Sequence, residues 1–225
     1  MNQELLTKQI VSILKDLECL SGTVKTMSTV TFPDAKERYE DLSIRAAQQA
    51  EWIAIRLRHL LYDSTSVRAA DYMPRAVDAL GIAVEEQDGI YKITLPGLAP
   101  KRRSRRSDEF LIDPLMFALS QYAEGHAIIR HPHYMVCFVL VYDRTLPTRR
   151  VRDYDNLELK PVLDAATMFL MESDTGLLCD TYHSTELGDR DCTQVFVMDS
   201  RRFPAWYAER QQILAQNASQ QHNLP

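Results

Sequence analysis

Along the first third of the chain, apolar residues recur at helical spacing. From about residue 2 to 20, Leu6, Ile10, Ile13, Leu14 and Leu17 fall on one side of a helix, which predicts an amphipathic helix. A Thr/Ser/Val-rich stretch over 21–33 follows and ends at Phe32-Pro33, where proline stops any helix and Asp34 can cap the next. That next helix is predicted from Ala35 to about Leu61. Its stripe is Tyr39, Leu42, Ala46, Ala50, Ile53, Leu57 and Leu60; Glu37, Arg38, Glu40, Arg45, Arg56 and Arg58 belong to the polar side. At about 1.5 Å per residue it spans roughly 40 Å. Its stripe needs a partner, and the first helix is the nearest one. The expectation is a packed antiparallel hairpin, with a dimerising coiled-coil face as its functional alternative.

The period then shortens. After a connector over 62–73, a short helix at Pro74–Leu80 is closed by Gly81. Runs over 82–87 and 90–95 flank Asp88-Gly89, a strong hairpin signal. Asp113-Pro114 opens a predicted helix to about Glu124. Tyr134–Tyr142 is the most apolar run and reads as a central strand, with His131-Pro132-His133 as loop residues at its start. A helix over 157–170 holds Pro161 in its first turn, where proline is tolerated. Strands at 177–183 and 192–198 and a short helix over 204–215 complete the pattern. The expected fold class is α+β: a small mixed sheet with packed helices, preceded by an N-terminal helical hairpin. Expected domains are a helical extension over 1–80, an α/β domain over 81–203, and a C-terminal helix and polar tail over 204–225.

Composition narrows the class. With 225 residues and 45% hydrophobic content, the chain suits a globular fold. Its net charge of -5 advertises no nucleic acid, so a nucleic-acid site has to be a local basic patch. Such a patch exists: Lys101, Arg102, Arg103, Arg105 and Arg106 form the densest basic cluster, a solvated loop or a phosphate-contacting one. Cys19, Cys137, Cys179 and Cys192 show no Cys-x-x-Cys spacing and read as reduced thiols. The first residues lack the basic and apolar regions of a signal peptide, and no apolar run is long enough to cross a bilayer. The expected location is the cytoplasm, away from any membrane.

The chemistry concentrates in Thr148–Ala165. Arg149, Arg150 and Arg152 run into Asp153 and Asp155, spaced i, i+2. In an extended segment both carboxylates point to one side. Two such carboxylates at a strand end can share a hard cation such as Mg²⁺. Lys160 and Asp164 become neighbours on a helix. A purely structural role stands beside this one: Asp155 as a helix N-cap, with Glu158 as the acid of a capping box.

From about Ile90 to Met198 the order of these parts resembles the RusA family of Holliday junction resolvases, small dimeric Mg²⁺-dependent endonucleases of mobile-element origin. Ile93-Thr94-Leu95-Pro96 with a basic loop behind it is similar to the family's opening strand and loop. Arg149-Arg150-Val151-Arg152-Asp153-Tyr154-Asp155-Asn156 is similar to its arginine-rich Asp-x-Asp-Asn motif, and Lys160 with Asp164-Ala165 to its helix lysine and Asp-Ala. Asp174, before a Leu-Leu pair, resembles the third acidic position. In the family the lysine comes one residue sooner after the asparagine, and the third acid is one of a pair. Residues 1–80 have no counterpart.

The resemblance implies a structure-selective endonuclease acting on branched DNA in recombination and repair. Asp153, Asp155 and Asp174 would hold Mg²⁺, with Mn²⁺ as its substitute, and Lys160 would offset charge developing on the phosphate. Glu172 and Asp180 are alternates for the third acid. Lys101, Arg102, Arg103, Arg105, Arg106, Arg149, Arg150 and Arg152 would hold the DNA backbone, and a homodimer would supply two sites for two cuts. The alternative is a catalytically inactive RusA-like accessory protein that binds DNA or protein.

Overall fold

The computed structural model describes residues 3–30, 35–98, 108–146, 151, 153–154 and 157–221. The architecture is α+β, with six helices and a five-stranded mixed sheet among the described residues. The chain divides into two compact units, Met1–Ala79 with Pro100–Phe117, and Leu80–Ala99 with Ala118–Pro225.

The first unit is helical. Helix α1 (Gln3–Ser28) and helix α2 (Lys36–Ser64) pack against one another as the paired stripes predict. Asp16 bonds Arg56, and the Thr23 hydroxyl donates to Gln49 Oε1 at 2.9 Å, which fixes an antiparallel pairing. α1 runs eight residues beyond the expected end at 20. Thr23, Thr26 and Ser28 lie in that extension, and their hydroxyls donate back to carbonyls three or four residues earlier, so residues read as a break continue the helix.

The expected stripe of α2 needs correction at three positions. Ala50 and Leu57 are exposed, and Arg58, expected on the polar side, is buried. The start of helix α4 (Asp108–Gly125) explains Arg58: its guanidinium lies 5.0 Å over the Phe110 ring and donates to the Phe110 carbonyl at 3.2 Å. A third helical segment thus covers a second side of α2, which two-helix reasoning leaves in water. Helix α3 (Ala69–Leu80) and α4 each begin five residues before the expected start, so Pro74 and Pro114 lie inside their helices rather than opening them.

In the second unit the strand order is β1-β2-β5-β3-β4. Strands β1 (Ala83–Gln87) and β2 (Ile90–Pro96) form the expected hairpin, and Asp88 and Gly89 both take positive φ, 53° and 71°. Strand β3 (Tyr134–Asp143) pairs antiparallel with β5 (Cys192–Asp199) and parallel with β4 (Cys179–Gly188). Only Met135 and Asp143 of β3 escape full burial, as its unbroken apolar run requires. Helix α5 (Lys160–Leu170) is the crossover that lets β3 and β4 run parallel. β4 extends five residues past the expected end at 183, and helix α6 runs over Phe203–Gln221.

The register separates the two faces of this sheet. Cys137 pairs with Phe196 and Tyr182, and Val141 with Cys192, so these share one face. α6 covers it through Trp206 and Phe203. The opposite face carries Tyr91, Ile93, Phe138, Leu140 and Val197, all nearly inaccessible. His183 is the register partner of Phe138 and belongs to this second face.

Candidate functional site

The start of α5 carries Lys160, one of the residues expected in the site. That helix begins at Lys160, with Leu159 as its N-cap and Pro161 behind it. This corrects the expected start at 157, and it removes Asp155 as an N-cap and Glu158 as its capping-box acid. Leu157 and Leu159 are buried, and that anchoring holds the segment before the helix. β3 ends at Asp143, ten residues before Asp153, so Asp153 does not extend that strand. Tyr154 sits instead in a 3₁₀ turn, where the Leu157 amide donates to its carbonyl at 3.1 Å.

The expected pairing of Lys160 with Asp164 is present: Nζ donates to Oδ1 at 2.8 Å. Lys160 Nζ also lies 3.8 Å from Asp174 Oδ2. Two of the residues expected in one site, separated in sequence by the whole of α5, therefore meet. The hydrogen bond to Asp164, then the charges of Asp164 and Asp174, push the lysine pKa up. Its ammonium stays charged across the neutral range. Asp174 lies in the turn before β4, as expected, with its side chain two-thirds covered. Cys179, just beyond, has its thiol pushed up to about 11 by burial first and then by Asp174 and Asp180.

Tyr154 is tied to β4. Its hydroxyl and that of Thr185 lie 2.8 Å apart, and its ring centroid is 5.3 Å from that of His183. His183 also meets the edge of Phe138 at 5.6 Å, and burial lowers its pKa. Sequence reasoning missed His183 and Thr185. Their signal was present as the alternation Thr181, His183, Thr185, which lines one face of a strand. By the same alternation Asp180 points to the face that α6 covers, and its carboxylate is 3.8 Å from His133 Nδ1. It therefore faces away from Tyr154. Glu172 is exposed in the turn after α5.

Asp153 is exposed. Asp155 lies outside the described residues, as do Lys101, Arg102, Arg103, Arg105, Arg106, Arg149, Arg150 and Arg152. Among the described residues, no three His, Cys, Asp or Glu side chains converge as a cation site. The oxygen-only donor set of the three expected aspartates suits a hard cation such as Mg²⁺. All four cysteines are free, Cys19 exposed and the rest buried, as their spacing suggests. Among the described residues no helix is long and apolar enough to cross a membrane.

No curated protein is matched by the sequence. A family model does match, over residues 2–220, so that both the helical unit and the sheet unit fall within one family. The chain belongs to DUF6100, a family of unknown function.

Proposed function

We propose that this chain is a structure-selective endodeoxyribonuclease of RusA type, hydrolysing phosphodiesters in branched DNA with Mg²⁺ or Mn²⁺. The observation that carries the reading is the approach of Lys160 to Asp174 across α5. A lysine beside an acidic metal ligand is the arrangement that phosphodiester hydrolysis asks for. The cation, when bound, supplies an activated water and stabilises the leaving oxygen. Asp153, Asp155 and Asp174 would hold it. Lys160 would rotate its ammonium from Asp164 toward the scissile phosphate, where charge develops in the transition state. Tyr154, fastened to Thr185 and set at a tilt beside His183, would fix the loop carrying the two aspartates against β4. The arginine-rich segments would neutralise backbone phosphates in a salt-dependent way. Two copies would cut symmetrically. A nuclease of this kind would work in the cytoplasm.

The test is cleavage of a synthetic four-way junction by the full chain, with Mg²⁺, with Mn²⁺ and with chelator. Paired symmetric cuts that need the cation and vanish in Asp174→Asn are expected. Absence of cleavage with either cation sinks the catalytic reading. A second reading, a DNA- or protein-binding accessory without activity, draws on the same geometry. Lys160 is engaged by two carboxylates, and such a pair can serve simply to brace the start of α5. Junction binding without cleavage is its signature.

A further inference from the structure

Helix α1 carries more apolar surface than its hairpin uses. Its inner side, Leu6, Gln9, Ile13, Asp16, Leu20, Thr23 and Met27, is the more covered one, and it includes Asp16 and Thr23, which bond α2. Beside it runs a second stripe. Ile10 is 41% exposed, Leu14 52%, Leu17 42% and Val24 49%. With Thr7 and Ser21 these positions repeat in alternating steps of three and four, the spacing of a coiled-coil seam. Large apolar side chains left half open along a whole helix mark an interaction surface.

We propose that this stripe is the seam at which two copies of the chain pair, α1 against α1, antiparallel. The charges beside the seam select both the occupant and the direction. An antiparallel register that sets Leu14 on the partner's Leu17 also sets Ile10 on the partner's Ser21 and Val24 on the partner's Thr7. Glu4 and Lys25 flank the two ends of the stripe on the same side. In that register each Glu4 meets a Lys25 of the other copy, twice by symmetry, an attractive arrangement. A parallel pairing opposes each residue to itself and loses both pairs. The inner side of α1 stays on α2, so the product is a four-helix bundle. The inference does not rest on nuclease activity; it shares with the functional reading only the pairing of copies.

Sedimentation equilibrium of the full chain tests it. The wild type sediments as a dimer. Leu14→Glu with Leu17→Glu, both at exposed positions and therefore harmless to folding by circular dichroism, weakens the dimer at least tenfold. Glu4→Lys alone and Lys25→Glu alone weaken it, and the double exchange restores it. A monomeric wild type overturns the inference, as does a dimer indifferent to the leucine pair or one that the double exchange does not restore. Should the leucine variant misfold, the charge exchanges alone decide. Junction cleavage by a monomer would overturn this inference and leave the functional reading intact. A dimer that cuts nothing would do the reverse.

Discussion

Gly188 closes strand β4 where its neighbour leaves no room. A Cβ built there would stand 2.5 Å from Val141 Cγ1. Val141 is itself buried in the central strand and β-branched, so its methyl cannot swing aside. Gly188→Ala should therefore cost about 1–3 kcal/mol, the usual cost of overpacking a filled core. A urea midpoint that does not fall would show that β3 and β4 separate more easily than their register implies. His183, on the same strand, acts through its proton. Burial lowers its pKa from the ordinary 6.5. The unfolded chain then takes up a proton at a pH where the folded chain resists it. Stability is full above about 6.5 and declines as pH falls from there through the lowered folded value. His183→Asn removes that decline, and the check is the difference in urea midpoint between neutral pH and about pH 5. Equal slopes in wild type and variant would mean that His183 is as free to protonate as in the unfolded chain.

Helix α6 is held on its face of the sheet by more than its aromatic side. Arg210 donates to both oxygens of Glu186 and to Gln194 Oε1, and its guanidinium lies 4.9 Å from the Phe196 ring and 5.3 Å from Trp206. Glu186 keeps only a tenth of its side-chain surface in water. Removing one member of such a pair strands the other, so Arg210→Ala should cost roughly 3–5 kcal/mol, whereas exposed pairs contribute far less. Thermal melting is the check, with Lys8→Ala, from an exposed ion pair on α1, as a control that should hardly move. Nothing in the sequence pattern announced Arg210, because its partners lie on two strands that come together only in the fold. The elements themselves were legible wherever period and turn chemistry agreed. Asp88-Gly89 marked the hairpin, and the run from Tyr134 marked the central strand. The boundaries were less so. Pro74 and Pro114 signalled starts but fall inside helices, and Thr23 and Thr26 signalled a break but bond back into α1. Arg58 was misplaced because its burial depends on Phe110, fifty-two residues away.

At the scale of the molecule, a net charge of -5 and the proposed DNA-binding role pull in opposite directions. They are reconciled only if acids crowd at a metal site and bases crowd around it. The sequence showed Lys160 with Asp164 directly, since both sit on one helix. It showed Asp174 only through the resemblance, since nothing local says that a turn after α5 comes back to its first residue. Asp155→Asn tests the crowding. Like charges held together disfavour their own ionisation and weaken the fold, so neutralising one should keep or raise the melting temperature. The same change should abolish metal-dependent junction cleavage. It should leave junction affinity equal or tighter, because a negative charge facing phosphate has gone. The slope of log affinity against log salt should stay the same, since no basic contact is lost. An N-cap role is no longer available as an explanation, because α5 starts at Lys160 behind Leu159. Melting, cleavage and binding on this single variant therefore separate three cases. Loss of cleavage with a stable, tightly binding protein supports the enzyme. Unchanged cleavage removes Asp155 from the site. Binding in both proteins, with cleavage in neither, leaves the accessory reading as the one that stands.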